Sequence, residues 1–389
     1  MIFDAHDAAG IRLARALAPR ESGVPDAERY ARAVWSHLAE PGESTAGALV
    51  AALGPIAALD AAADTGGLVD EMLEEGRRRW RPRLVHEPIA RSLATAARRG
   101  IRLVVPGDPH WPSAVDDLGD HAPIALWTRG DPTALVELSP GVALVGARAA
   151  TSYGEHTAAE LAADLCGAGI AVVSGGAYGI DGAAHRAALG VGGMTVAVMA
   201  GGVDRTYPSG NTDLVERIVA SGGAVIAEVP CGAAPTKWRF LQRNRLIAAL
   251  ADATVVVEAG WRSGSLNTAG HAASLGRPIG AVPGPITSAA SAGTHRLLRE
   301  YDAVCITGTD DVLELLGEAP RARVDAEAGP RVSEDTRVLD AMSVRTSRTV
   351  DDIARRSGHA PADVEARLGL LRLSGDVEPT ESGWRRRPR

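Results

Sequence analysis

Six short apolar runs predict an α/β fold on a doubly wound, mainly parallel, Rossmann-like sheet. Each run is closed by a glycine turn and followed by an alanine-rich stretch with apolar residues at helical spacing. The runs are GVALVGAR at 141–148, GIAVVSGG at 169–176, MTVAVMAGG at 194–202, GAVIAEVP at 223–230, ATVVVEAG at 253–260 and PIGAVPG at 278–284. Almost wholly apolar rather than alternating, they read as strands buried on both faces. A helical amino-terminal domain and a carboxy-terminal winged helix complete the predicted architecture.

In chain order, residues 1–95 read as helices, with apolar positions three and four apart in AERYARAVWSHLAE and EMLEEGRRRWRPRLVHEPIARSLATAARRG. At GIRLVVPGDPHWPSAVDDL the pattern turns to β-branched strands and glycine turns, so the Rossmann-like domain is placed at 96–317. Residues 318–333, EAPRARVDAEAGPRVS, combine proline, glycine and charge and read as a linker. In 334–389, Thr349 before VDDIARRSG and Pro361 opening ADVEARLGLLRLSG are helix starts, and the order of three helices and a hairpin predicts a winged helix. Asp363 and Glu365 near the start of its third helix would repel phosphates, which argues against direct duplex reading there.

Composition excludes several classes. With 389 residues, 46% hydrophobic and 23% charged, the chain is long enough for two or three folded domains. The acidic start MIFDAHDAAG lacks the basic region and apolar run of a secretory signal, and no stretch of about 18 apolar residues suggests a membrane span, so a cytoplasmic protein is expected. Cys166, Cys231 and Cys305 lie far apart and read as buried free thiols, with no zinc or disulfide pattern. A net charge of −7 argues against a surface coated in positive charge, but not against a local basic patch. That patch is expected in TKWRFLQRNRLI, where Lys237, the chain's single lysine, Arg239, Arg243 and Arg245 occur without an acid.

In open parallel sheets ligands bind beyond the carboxy ends of the strands, and the glycine motifs fall there. They are Gly146-Ala147-Arg148, Ser174-Gly175-Gly176 with Tyr178 and Gly179, Gly201-Gly202, and Ser263-Gly264-Ser265 with Thr268. Backbone N–H groups, hydroxyls and helix amino ends at such turns favour an anion, and phosphate is the usual one. Arg243, Asn244 and Arg245, read as having no acid nearby, fit a backbone-gripping site. Arg148 and Arg243 are both expected as exposed contacts whose loss leaves stability nearly unchanged. Catalytic signals are weak: His185 and His271 fall on helices as packing or capping residues, and Asp181 is expected to fix its turn or cap the following helix rather than act as a base. Glu228 and Glu258, at strand ends, are the carboxylates placed for acid–base work. No catalytic, cofactor-binding or metal-binding residue is assigned.

Seven segments, in order from about 141 to 298, resemble the DNA-processing protein A family (DprA, also called Smf). They are VGARAAT, SGGAYGIDGAAHRAAL, AVMAGGVDRTYPSGN, AEVPCGAAP, FLQRNRLIAAL, VVVEAGWRSGSLNTAGHAASLGRPIGAVPG and SAGTHRLL. The resemblance implies an extended Rossmann fold that dimerises, binds single-stranded DNA, loads RecA recombinase in natural transformation and needs no nucleotide cofactor. It also implies a sterile-alpha-motif-like amino-terminal domain. Arg148 matches the arginine of the family's Gly-Ser-Arg motif, with Ala147 in place of serine, and is expected on DNA phosphates; the turn at 174–176 is expected to line the single-strand pocket. Tyr178 stands where many members have a basic residue and offers a ring for base stacking, while His295 and Tyr301 replace a common asparagine and glycine.

Two other classes fit a Rossmann-like chain. One is a nucleoside-monophosphate-cleaving enzyme like the cytokinin-activating "lonely guy" group, whose Gly-Gly-x-Gly-Thr loop is replaced here by AGWRSGSLNT. The other is a sensor of a nucleotide-derived ligand.

Overall fold

The computed structural model describes residues 7–64, 71–317 and 334–387. The expected linker at 318–333 lies outside the described residues. The chain divides into two compact units, Met1–Pro320 and Arg321–Arg389.

The first unit is built on nine strands: β1 (Arg102–Val104), β2 (Leu126–Gly130), β3 (Gly141–Gly146), β4 (Ala171–Ser174), β5 (Thr195–Val198), β6 (Ala224–Ala227), β7 (Ala253–Glu258), β8 (Ile279–Ala281) and β9 (Val304–Cys305). Their spatial order is β1-β2-β6-β5-β4-β3-β7-β8-β9. The six strands expected from the apolar runs are β3 to β8, all parallel to their neighbours among these six. The sheet is therefore mainly parallel and doubly wound, with an antiparallel edge added by β1 and β2. Val142 pairs with Val172 and Leu144 with Val255, and the register slips between Val145 and Gly146, at the mouth of the site.

Both faces of the sheet are covered, which is why the strands read as continuous apolar runs. Ala143, Val145, Val173 and Val256 point toward Leu246, Ile247 and Leu250 of the helix Lys237–Leu250. Val142, Leu144, Val172 and Val255 point the other way, toward Leu161 and Leu165 of the helix Ser152–Gly167 and Ile180 and Ala184 of the helix Ile180–Gly190. The amino-terminal helices share a third core with the sheet's antiparallel side: Trp35, Leu38, Leu59 and Trp80 lie with Leu103, Trp127, Ala197 and Val225. Arg29 of the helix Asp26–Leu38 is fully buried, with Nη1 on Asp108 Oδ2 at 2.7 Å and on the Leu103 carbonyl at 2.6 Å, which fastens that helix to β1.

The second unit contains helices Glu334–Asp340, Val350–Ser357 and Pro361–Leu373, then a hairpin of β10 (Val377–Thr380) and β11 (Gly383–Arg386), the expected winged helix. Thr349 caps the second helix by accepting from the Asp352 N–H, and Pro361 opens the third. Val338, Ile353, Val364, Leu368 and Val377 form its own core.

Cys231 is buried and Cys166 half-buried, and burial pushes their thiols up to about 12 and about 11. Cys305, expected to be buried, is exposed because it lies on the short edge strand β9. Among the described residues no single helix is long and apolar enough to cross a membrane.

Candidate functional site

The chain runs β3, β4, β5, β6 in one direction and returns to place β7 on the other side of β3. At such a reversal the connecting segments diverge and leave a crevice beyond the strand ends. A cavity of about 600 Å³ opens there. Its walls are Gly146 and Arg148 after β3, Ala177 and Asp181 after β4, Tyr207 after β5, Thr236, Lys237, Phe240, Arg243 and Asn244 of the next helix, and Ser263, Gly264, Ser265 and Thr268 after β7.

Two helices, Lys237–Leu250 and Ser265–Ser274, present their amino ends to this cavity, and neither has an acid in its first turn. Thr236 caps the first by accepting from the Arg239 N–H at 3.2 Å. Beside the second, Ser263 Oγ lies 2.8 Å from Ser265 Oγ. Unpaired N–H groups and two positive dipole ends make this edge receptive to an anion. Asn244 steadies it, since Nδ2 donates to the Gly264 carbonyl at 3.2 Å and to Asn267 Oδ1 at 3.3 Å.

Arg148 is exposed, its guanidinium 4.4 Å from the centre of the Phe240 ring. Tyr207 meets the same ring at 5.8 Å between centroids. Among the described residues Arg148 and Lys237 form no ion pair with a carboxylate; a cation on a ring and an exposed ammonium face the cavity, and the buried Asp181 carboxyl acts on Arg148 only through space.

Arg243 is of another kind: it is buried, and Nη1 donates to the Gly175 carbonyl at 2.7 Å and to the Val198 carbonyl. A β-carbon on Gly175 would collide with that guanidinium, so glycine is needed there. Gly179, at φ +70°, passes close against the Ala147 carbonyl and brings the β3 and β4 loops together. Asp181 accepts from the Gly175 N–H at 3.2 Å and the Ala177 N–H at 3.4 Å, so it fixes the turn as expected. Burial pushes the Asp181 carboxyl above its ordinary range despite Arg243 and those two N–H groups. Burial also lowers Arg243 to about 10, opposed by Asp181 and assisted by Arg148, which leaves it cationic near neutral pH. Nε of Arg243 has no hydrogen-bond partner among the described residues.

Several expectations are corrected by this geometry. Ser174, Gly175 and Gly176 are buried and do not line the cavity; Ser174 Oγ donates to the Leu144 carbonyl, and the turn is the socket of Arg243. Arg243 is not an exposed contact. Arg245, read as lacking an acid, pairs in a fork with Glu228, both bonds at 2.7 Å, and its Nε donates to the His121 carbonyl. Arg239 likewise pairs with Glu40, both bonds at 2.9 Å. Tyr178 is exposed beside Gly210, outside the cavity wall. Glu258 accepts from the Thr151 N–H and hydroxyl, so it and Glu228 are both engaged in holding the scaffold. Of the sequence-derived residues, Arg148, Lys237, Arg243, Asn244, Ser263 and Ser265 meet at the cavity. Phe240 and Tyr207 were missed as site residues; their signal was an aromatic side chain within one turn of the lone lysine and in the loop after β5.

The family model of the DNA recombination-mediator protein A matches residues 102–317, and that of the DprA winged helix domain matches 322–383. The chain belongs to the DprA family. A Mycobacterium tuberculosis relative described as a DNA processing protein DprA is 45% identical over 378 residues, covering 92% of this chain and 95% of the relative. Among solved structures, DprA from Streptococcus pneumoniae matches with a TM-score of 0.59 and 30% identity, covering 74% of this chain and 96% of that one. DprA from Helicobacter pylori, whose structure concerns its single-stranded DNA binding mode, matches with a TM-score of 0.50 and 30% identity over 56% of this chain and 95% of that one.

Proposed function

We propose that this DprA-family chain is a cytoplasmic single-stranded DNA-binding protein that grips the strand in the cavity at the carboxy edge of its sheet. The observation that carries this reading is the pair of cations without an ion-pair partner among the described residues, Arg148 on the Phe240 ring and Lys237 at a helix amino end, beside two further helix-end and serine donors. Guanidinium and ammonium groups take phosphate oxygens, and exposed rings take the faces of unstacked bases. A duplex keeps its bases stacked and offers the cavity only its backbone. Membership of the family and the Helicobacter pylori relative's single-strand binding support the same substrate.

On the family resemblance, the bound strand is passed to RecA recombinase by a homodimer formed through the Rossmann-like domain. A mononucleotide-cleaving enzyme is less well supported, since Glu228 is held by Arg245 and Glu258 by Thr151. The test is a titration of labelled oligothymidylate, the equivalent duplex and a mononucleotide. Tighter binding of the single strand than of either competitor is expected. Equal affinity for strand and duplex, or preference for the mononucleotide, would contradict the proposal.

A further inference from the structure

We propose that Glu40, in the amino-terminal helical region, is a built-in competitor for DNA phosphate at Arg239 and so restrains the affinity of the cavity. This rests on the reading of the cavity as a single-strand site. Arg239 lies beside the cavity rather than in its wall, between the wall residues Lys237 and Phe240 in the first turn of the site helix. Its Nε and Nη2 reach the two oxygens of Glu40 at 2.9 Å each, and Nη1 donates to the Ala234 carbonyl at 2.9 Å. A planar fork of donors that fits a carboxylate fits a phosphate equally well.

Two features make exchange feasible here and not at the neighbouring pair. The side chains of Arg239 and Glu40 are 20% and 28% exposed, whereas Arg245 is 3% exposed. Moreover Glu40 has a second cation: Arg83 Nη2 donates to its Oε1 at 2.8 Å. If a phosphate captures Arg239, Glu40 is therefore left paired rather than stranded. Partial burial pushes the Glu40 carboxyl up, but Arg239 and Arg83 together hold it below its usual range, so it is an anion at neutral pH.

The segment that carries Glu40 need not move. Gly42, at φ +73°, fits against Gln242 and Arg245 where a β-carbon would collide. Its N–H donates to Glu228 and its carbonyl accepts from His121 Nδ1 at 2.8 Å. These bonds do not involve Arg239, so the turn stays fastened while one guanidinium changes partner.

The experiment is a salt titration of full-length protein with fluorescein-labelled oligothymidylate, comparing the parent with Glu40→Gln, Arg239→Ala and the double variant, each checked by thermal unfolding. Glu40→Gln should bind roughly five- to tenfold tighter at low salt, with a log–log salt slope steeper by about 0.7, one phosphate's worth on a single strand. The gain should vanish in the double variant, which a merely structural Glu40 would not produce. Unchanged affinity and slope in Glu40→Gln, or weaker binding with a lowered melting temperature, would overturn the proposal and leave the cavity reading intact. If Glu40→Gln does not fold, Arg239→Ala decides: an unaltered salt slope overturns exchange, a shallower one supports it. A parent that fails to bind the strand at all would instead refute the reading of the cavity.

Discussion

The loop after β3 and the helix Lys237–Leu250 both bring arginine to one end of the sheet and use it in opposite ways. Arg148 is exposed, without a carboxylate partner among the described residues, and laid on an aromatic ring. Arg239, Arg243 and Arg245 are each tied to the protein itself, through Glu40, the Gly175 and Val198 carbonyls, and Glu228. The three arginines of the helix thus read as a scaffold that shapes the cavity, Arg239 through a pair open to exchange, while Arg148 of the loop and Lys237 at the helix start face it without an ion pair among the described residues. A run of basic residues shows where positive charge is, but not whether that charge is already spent.

The largest effect that could break this contrast lies at Arg245. Arg245→Ala removes the guanidinium paired with Glu228 in a nearly closed site, and should cost about 3 to 5 kcal/mol of stability in urea unfolding. A change below about 0.5 kcal/mol would mean that the pair is solvated and the contrast false. Arg243→Ala removes two bonds to carbonyls and the cation facing Asp181, and should cost about 2 to 3 kcal/mol as well as binding. Lost affinity with an unchanged melting temperature would return Arg243 to the exposed class.

What the sequence concealed follows from distance along the chain. The parallel strands were legible because burial on both faces writes a continuous apolar run, as in 253–258. The two-residue β9 carries too few residues for a period to show. In the site, the glycine turns and Arg148 were legible as strand–turn–helix junctions. The partner of Arg239 was not, being 199 residues away, nor was the carbonyl of His121, 124 residues from Arg245. Glu228 is only 17 residues from Arg245, but pairing them requires knowing that the end of β6 and the next helix face each other. Phe240 reads as one more apolar residue of a helix, and only the placement of that first turn over the strand ends puts its ring under Arg148.

A smaller effect concerns the buried histidine of the helix Ile180–Gly190. His185 Nδ1 donates to Thr195 Oγ1, whose own proton goes to the Val172 carbonyl, and burial, with Arg243 and Arg186 adding to it, lowers His185 to about 3. Unfolded histidine takes a proton below about pH 6.5 while the folded group stays neutral, so the unfolded state binds more protons in that range. Stability should fall as the pH drops from about 6.5 toward 3, and His185→Asn should flatten part of that fall in urea midpoints measured against pH. A pH profile identical in parent and variant would place the lability elsewhere.

The smallest expected effect is at Tyr178. Its ring is half exposed beside Gly210 and outside the cavity wall, so Tyr178→Ala should change single-strand affinity by less than about 0.5 kcal/mol. A loss of about 1 to 3 kcal/mol, the range for a stacked base, would extend the interface outward across the β4 loop.

The most direct measurement is the salt dependence of oligothymidylate binding by the parent and by Arg148→Ala, with thermal unfolding of both. A guanidinium whose charge is unspent should neutralise a phosphate. Arg148→Ala should therefore melt with the parent, bind roughly tenfold more weakly and lose about 0.7 from the log–log salt slope. A variant that binds with the parent's affinity and slope would contradict the assignment of the cavity to the DNA backbone.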